Sequence, residues 1–241
     1  MSDLLDSVLK AHGGLDRWHE FSHVRACIVT GGELWGIKGL VQDPSPRQMT
    51  VALHHEWASL APYGAPDQKT DFTPERIAIE KLDGQVVAER TDPRASFASH
   101  ELITPWDPLH RAYFNGYALW TYLTTPFLLA LPGVSVSEIA PVRGREAGEV
   151  WAGLQANFPA EIATHSPKQE FYFGHDGLLR RHDYRVDVAG GFAVIQYVDD
   201  VVDADGIRLP TKRRAYRAGA EGAPILDQLM VSIDFSNLQF D

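Results

Sequence analysis

The chain has 241 residues, 44% hydrophobic and 22% charged, a composition that excludes a disordered or fibrous protein and is sufficient for one large β domain. The formal net charge of −10 argues against nucleic-acid binding and against attachment to anionic lipid, because both require basic surface. A single cysteine, Cys27, excludes an internal disulfide and a cysteine-rich zinc site.

The first hundred residues predict a helical start followed by strands. Apolar residues recur at helical spacing over residues 3–20, with a break at Gly13-Gly14, and this segment lacks the basic start and unbroken apolar run of a signal peptide. Extended patterns cover 24–100, including 33–43 and 47–62, with a loop rich in proline, glycine and aspartate at 63–73. Asp83-Gly84, between two apolar runs, is the strongest hairpin signal in the chain.

Residues 107–130 predict a buried helix. Asp107 supplies an N-cap, and Pro108 occupies the first helical position. Apolar side chains cover most of the helix surface, so we expect the sheet to enclose it. The aliphatic run at 127–131 lies between two prolines and is too short to span a bilayer, which predicts a cytoplasmic protein without membrane insertion.

The remainder, 133–240, predicts strands separated by close turns at 175–177, 189–191 and 204–206. Short connections require antiparallel neighbours. The predicted fold is mainly β: a single domain over 1–241 in which one curved antiparallel sheet of about ten strands, an open half-barrel, wraps around the buried helix.

This organisation resembles a known superfamily. The resemblance is carried by the opening helix with Gly13-Gly14 and Trp18, by the hairpin IAIEKLDGQVVAER at 77–90, and by DGIRLPTKRRAY at 205–216. These three segments resemble the half-barrel of the lipoprotein carriers LolA and LolB, which implies a β-shell around a helical plug with an apolar cavity for acyl chains. The same shell in VioE, a pigment-pathway enzyme, implies cofactor-free rearrangement of a small molecule. The chain lacks the carriers' signal peptide and lipobox cysteine, so a VioE-like cytoplasmic role is favoured.

The segment LLRRHDYRVDV at 178–188 predicts polar groups on the inner face of a strand. Strict alternation places Arg180, His182 and Tyr184 between the apolar ends Leu178 and Val186. In the strand at 47–62, alternation likewise places His55 among core residues.

If these strands approach one another, His182, His55, Arg180 and Tyr184 line one pocket. Imidazole suits acid–base catalysis near neutral pH, and an arginine can offset developing negative charge. The alternative is two core histidines, each bonded to a backbone carbonyl. A loop histidine is the favoured interpretation of His165, and a solvated strand face that of the cluster at 212–214.

Aromatic residues on apolar faces predict the wall of a binding site, with plain core packing as the alternative for each. The predicted substrate-binding residues are Trp35, Trp57, Tyr113, Tyr117, Trp120 and Phe171.

The sequence therefore predicts a protein that binds an apolar or aromatic small molecule in the concave cavity. In one form of this hypothesis it is a cofactor-independent isomerase, lyase or cyclase. In the alternative it is a non-catalytic carrier or sensor of a lipophilic ligand, and a protein-interaction role for the loop at 62–74 is the least supported. No glycine-rich nucleotide motif and no His-Glu-x-x-His motif is present, so neither a cofactor nor a metal is expected.

Overall fold

The computed structural model describes residues 2–241, and in them thirteen antiparallel strands form one sheet. The strands are β1 (His23–Gly31), β2 (Arg47–Ala52), β3 (Ala58–Ala61), β4 (Gln68–Thr73), β5 (Arg76–Lys81), β6 (Val86–Thr91), β7 (Ser135–Arg143), β8 (Val150–Asn157), β9 (Lys168–Phe173), β10 (Leu179–Val186), β11 (Phe192–Ala204), β12 (Ile207–Ala218) and β13 (Pro224–Phe240). The helices are α1 (Asp3–Ala11), α2 (Leu15–Trp18), α3 (Leu34–Ile37) and α4 (Pro108–Thr124). The mainly β, antiparallel fold with an enclosed helix is confirmed.

The order of strands shows how the chain builds the sheet. From β1 the chain zigzags outward to β6 at one edge, and from β7 at the other edge it zigzags back to β13, which pairs with β1. Helix α4 is the crossover between the two edges. Consecutive strands on each side of the β1–β13 pair are therefore antiparallel neighbours. The connection from β6 to β7, which contains α4, lies across the inner face of the sheet.

Helix α4 fills the inner face. The Asp107 carboxylate accepts a hydrogen bond of 2.8 Å from the backbone N–H of His110, which caps the first turn. Every residue from 111 to 124 is buried. A Cβ on Gly116 would lie 2.3 Å from Cγ of Phe72, so the helix approaches β4 more closely than an alanine would allow.

The helix is shorter than the predicted segment 107–130. It ends at Thr124, and a separate 3₁₀ turn follows at Phe127–Ala130. The physical reason is Pro126, which has no N–H to donate and disfavours helical geometry in the residue before it.

Three other segments differ from their predictions. Residues 33–43 contain the helix α3 and a loop instead of a strand, and 47–62 is the hairpin of β2 and β3 instead of one strand. The predicted loop at 63–73 contains β4. The helix predicted over 3–20 is the pair α1 and α2, separated at Gly13-Gly14, and the Asp83-Gly84 hairpin joins β5 and β6.

Among the described helices, none combines the length and the apolar character that crossing a membrane requires.

Candidate functional site

A β-bulge in β10 changes which residues face inward. Leu179 pairs with Phe173 and Arg181 with Tyr172, so Arg180 between them is an extra residue on its strand. Leu179 is buried as a result, whereas Arg180 pairs with Asp176. The predicted inner position of Arg180 is wrong because the bulge shifts the alternation by one residue.

His182 is fully buried on β10. Its ring stacks on Phe171 with centroids 4.3 Å apart, and its Nε2 lies 2.6 Å from Oε1 of Gln169. Because an amide oxygen only accepts hydrogen bonds, Nε2 carries the proton and Nδ1 has no partner. Burial lowers the pKa of His182 well below 6.5, so the ring is neutral at pH 7.

A second buried histidine, His165, stands at the end of a hydrogen-bond chain. Its Nε2 lies 2.7 Å from Oη of Tyr122, which lies 2.9 Å from Oη of Tyr184. Gln196 donates to Tyr184 at 3.2 Å and accepts from Arg213 at 2.8 Å. Since guanidinium and amide N–H groups only donate, the direction is fixed from Arg213 through Gln196 to Tyr184, whereas either hydroxyl can be the donor between Tyr184 and Tyr122. Burial lowers the pKa of His165 to about 3, so this ring is also neutral.

Arg213 is the charged member of this chain and is fully buried. Its Nη2 donates to the Tyr122 carbonyl at 2.9 Å, and its Cζ lies 4.4 Å from the centroid of the Tyr122 ring. Burial lowers the pKa of Arg213 to about 10, which leaves it charged at pH 7. The predicted solvated face at 212–214 is wrong for this residue, because Arg213 is in phase with the buried Leu209 and Ala215.

These residues form what we call the inner network. Its members share burial between α4 and the strands β9 to β12, and Tyr184, at 6%, has the largest exposed fraction among them. They are Tyr122, His165, Gln169, His182, Tyr184, Gln196 and Arg213. A buried, hydrogen-bonded set with two neutral imidazoles is typical of a polar core, although Nδ1 of each imidazole and Nε of Arg213 have no partner.

His55 is not a member of the inner network. It is exposed in the bend between β2 and β3, where the predicted single strand is interrupted. Its neighbour Trp57 is half-buried and donates from Nε1 to Asp71 at 2.8 Å. The structure therefore does not bring His55 together with His182, because the turn of the hairpin removes it from the alternating core face.

The other predicted binding residues are buried as aromatic core. Tyr113, Tyr117 and Trp120 on α4 are each exposed by 1% or less. The Trp120 indole donates to the Ala52 carbonyl at 2.9 Å, and the Trp35 indole donates to Gly31 at 3.1 Å. Their side chains fill the inner face that was expected to hold an open cavity.

A solvent-facing pocket lies at the end of the half-barrel where α4 begins. Its volume is about 560 Å³, within the range typical of small-molecule sites. We call it the arginine pocket, after its two buried guanidinium groups. It is lined by Leu40, Val41, Asp43, Arg47, Pro62, Tyr63, Gly64, Ala65, Pro66, Pro108 and Arg111.

Arg47 enters this pocket from the first residue of β2. It shares the inner face of that strand with Met49 and Val51 and is only 6% exposed. Its Nη2 donates to Oγ1 of Thr30 on β1 at 2.9 Å, while its Nε is buried without a partner. Burial lowers the pKa of Arg47, and no ordinary pH removes its charge.

Arg111 enters from the first turn of α4. It is 8% exposed, and its Cζ lies 4.4 Å from the ring centroid of Trp35. Its Nη1 donates to the Val41 carbonyl at 2.9 Å and its Nη2 to Oε1 of Gln42 at 3.2 Å. Burial and the positive charge of Arg47 lower the pKa of Arg111. The two cations are therefore close enough to repel each other.

Tyr63 fixes the opposite wall. It is buried in the loop between β3 and β4, and its hydroxyl donates to the Pro108 carbonyl at 2.7 Å. Burial raises the pKa of Tyr63, so the phenol remains neutral. This bond ties the loop to the start of α4 and holds the pocket in shape.

Sequence reasoning missed most of these polar groups for identifiable reasons. Alternation with Leu209 and Ala215 indicates that Arg213 faces inward, and alternation with Met49 and Val51 indicates the same for Arg47. His165 carries no local signal, because it lies outside the regular elements and is buried by distant parts of the chain. Arg111 lies on a helix whose predicted burial rests on its apolar residues, and these do not indicate which polar residues of the helix are buried with them.

The sequence matches no protein-family model and no curated protein. Solved structures match the fold along almost the whole chain. A LolA superfamily protein from Nitrosomonas europaea has 11% identity and a TM-score of 0.51, covering 98% of this chain and 92% of that one. A DUF1329 family protein from Desulfovibrio piger has 13% identity and a TM-score of 0.53, with 99% and 92% covered. A putative outer membrane lipoprotein-sorting protein domain from Vibrio parahaemolyticus has 8% identity and a TM-score of 0.55, with 99% and 91% covered. This chain therefore has the open half-barrel fold of the LolA superfamily.

Proposed function

We propose that this chain binds an apolar small molecule in the arginine pocket and acts as a carrier or sensor. The observation that carries the proposal is a solvent-facing pocket of about 560 Å³ whose walls are mostly apolar. Six of its lining residues, Leu40, Val41, Pro62, Ala65, Pro66 and Pro108, offer hydrocarbon surface. Burial of such surface by an apolar ligand is favourable by about 25 cal/mol per Å².

Binding without chemistry is the form of this function that the geometry favours. The groups suited to acid–base catalysis, His165 and His182, are fully buried, and burial lowers the pKa of both below the useful range. The arginine pocket contains no histidine, and its one carboxylate, Asp43, is exposed at the rim. A ligand in this pocket meets groups that hold it and none that readily exchanges a proton at pH 7.

The test uses N-phenyl-1-naphthylamine, a neutral probe whose fluorescence rises in apolar surroundings. Wild-type protein should bind it saturably. Ala65→Trp should weaken binding by about tenfold or more, because an indole would occupy the pocket. Ala147→Trp, the same change in an exposed turn between β7 and β8, should leave the affinity unchanged.

Absence of binding to the wild type, or equal binding by the two variants, would contradict the proposed site. Native mass spectrometry of protein purified from its own host provides an independent measurement. A retained lipophilic molecule that Ala65→Trp no longer retains would identify the natural ligand class.

A further inference from the structure

Resting on the proposed function, we infer that the ligand is a single-chain amphiphile whose anionic head group is held between Arg47 and Arg111. The carboxylate and the phosphate monoester share the required chemistry, which is a compact group of oxygen acceptors beside an apolar chain. The lining of the pocket supplies both guanidinium groups for the head group and hydrocarbon surface for the chain.

Ion pairing distinguishes the two arginines of the pocket from most arginines of the chain. Among the described residues, ten arginines form ion pairs with aspartate or glutamate. Neither Arg47 nor Arg111 does, although the chain contains 32 acidic residues and only 22 basic ones. Asp43 at the rim is exposed and instead accepts from the backbone N–H of Ser45 at 2.8 Å. The protein is rich in carboxylates, yet neither of the two buried arginines that line this pocket is paired with one.

The two guanidinium groups also have unused hydrogen-bonding capacity. Each guanidinium has five N–H groups. Among the described residues, protein atoms accept one from Arg47 and two from Arg111, which is three of the ten. Two adjacent guanidinium groups with free donors match the four lone-pair positions of a carboxylate or the oxygens of a phosphate.

Both arginine side chains are held in place by their contacts. Arg111 is held against the Trp35 ring and by two hydrogen bonds, and Arg47 is anchored to Thr30 across the strand pair. Little side-chain entropy remains to be lost when an anion binds, so the charge-assisted bonds contribute more fully to affinity. Pro62, Ala65 and Pro66 line the same pocket and offer hydrocarbon contact to the chain of the ligand.

The experiment compares ligands that share a twelve-carbon chain: dodecanoate, dodecyl phosphate and dodecan-1-ol, each below its micellar concentration. Binding is measured by calorimetry and by displacement of N-phenyl-1-naphthylamine. We expect an anionic ligand to bind wild-type protein about 10 to 100 times more tightly than the alcohol. Tighter binding of dodecanoate would assign the natural head group to the carboxylates, and tighter binding of dodecyl phosphate to the phosphate monoesters.

Variants separate the two arginines from general electrostatics. Arg47→Met and Arg111→Met should each lower the preference for the anion to about threefold or less while the neutral probe still binds. Arg143→Met, which removes an exposed arginine on β7, should keep the full preference.

Equal affinity of the wild type for the acids and the alcohol would overturn the inference while leaving the proposed function intact, and this comparison does not depend on any variant folding. If neither the probe nor any twelve-carbon ligand binds, the proposed function and the inference both fail.

Discussion

Acidification should destabilise this protein through its buried histidines. Burial lowers the pKa of His12 to about 4 and that of His165 to about 3, and it lowers that of His182 well below 6.5. In the unfolded chain these groups titrate near 6.5. Between the two values the unfolded state binds protons that the folded state rejects. Their contribution to stability is therefore complete above pH 6.5 and is lost as the pH falls towards the folded values.

The magnitude follows from the pKa shifts of His12 and His165. At pH 4.5, two pH units below the unfolded value, each of His12 and His165 has lowered the free energy of unfolding by about 2 to 3 kcal/mol. Together they remove about 5 kcal/mol, comparable with the whole stability of a marginal domain. Glu56 acts in the opposite direction, because burial raises the pKa of its carboxyl well above 4.5 and the folded state retains a proton.

Urea denaturation followed by far-UV circular dichroism at pH 7.5, 5.5 and 4.5 measures this effect. In His165→Gln, the loss of stability between pH 5.5 and 4.5 should be smaller than in the wild type by about 1.4 kcal/mol. This is the change in the free energy of unfolding over one pH unit when the unfolded state binds one more proton than the folded state. His175→Gln, at an exposed turn position, should follow the wild-type curve, and Glu56→Gln should steepen it. Parallel curves for the wild type and His165→Gln would refute the reasoning that a buried neutral imidazole carries the acid sensitivity.

Two further predictions concern packing and the inner network. Gly116→Ala should destabilise the protein by about 2 to 3 kcal/mol in urea denaturation, because the new Cβ would overlap Phe72. Gly36→Ala, a helical position with open space around it, should be neutral or slightly stabilising, and equal costs would contradict this account. Tyr122→Phe should cost about 1 to 3 kcal/mol, since it leaves two buried hydrogen-bonding groups without their shared partner. Tyr216→Phe, at a half-buried position, should change the free energy of unfolding by no more than about 0.5 kcal/mol. A Tyr122→Phe variant as stable as this control would show that the hydrogen-bond chain contributes nothing to stability.

The elements that local patterns specify were predicted well. Apolar alternation and the Asp83-Gly84 turn identify β5 and β6, and the Asp107 cap with Pro108 identifies the start of α4. These features follow from backbone geometry and side-chain burial within a few residues, so the sequence alone contains them. Burial of the helix also followed from its apolar surface on most sides.

Features that depend on distant parts of the chain were not predicted. The bulge at Arg180 has no glycine or proline to mark it, and a one-residue slip exchanges the two faces of a strand. The bend at His55 breaks an apparently continuous alternation. His165 and Arg111 acquire their surroundings from segments 40 to 70 residues away, and no periodicity encodes such contacts.

The structure contains buried guanidinium groups in two different situations, and the difference indicates where a ligand is expected. Arg213 is fully buried inside the inner network, where it donates to the oxygens of Gln196 and Tyr122 and lies against the Tyr122 ring. Arg47 and Arg111 instead line a solvent-facing pocket, where water or a ligand can reach the donors that the protein leaves unused. A buried charge that the protein does not neutralise must be satisfied by water or by a bound anion. For this reason the end of the half-barrel, and not its filled centre, is the place where binding is expected.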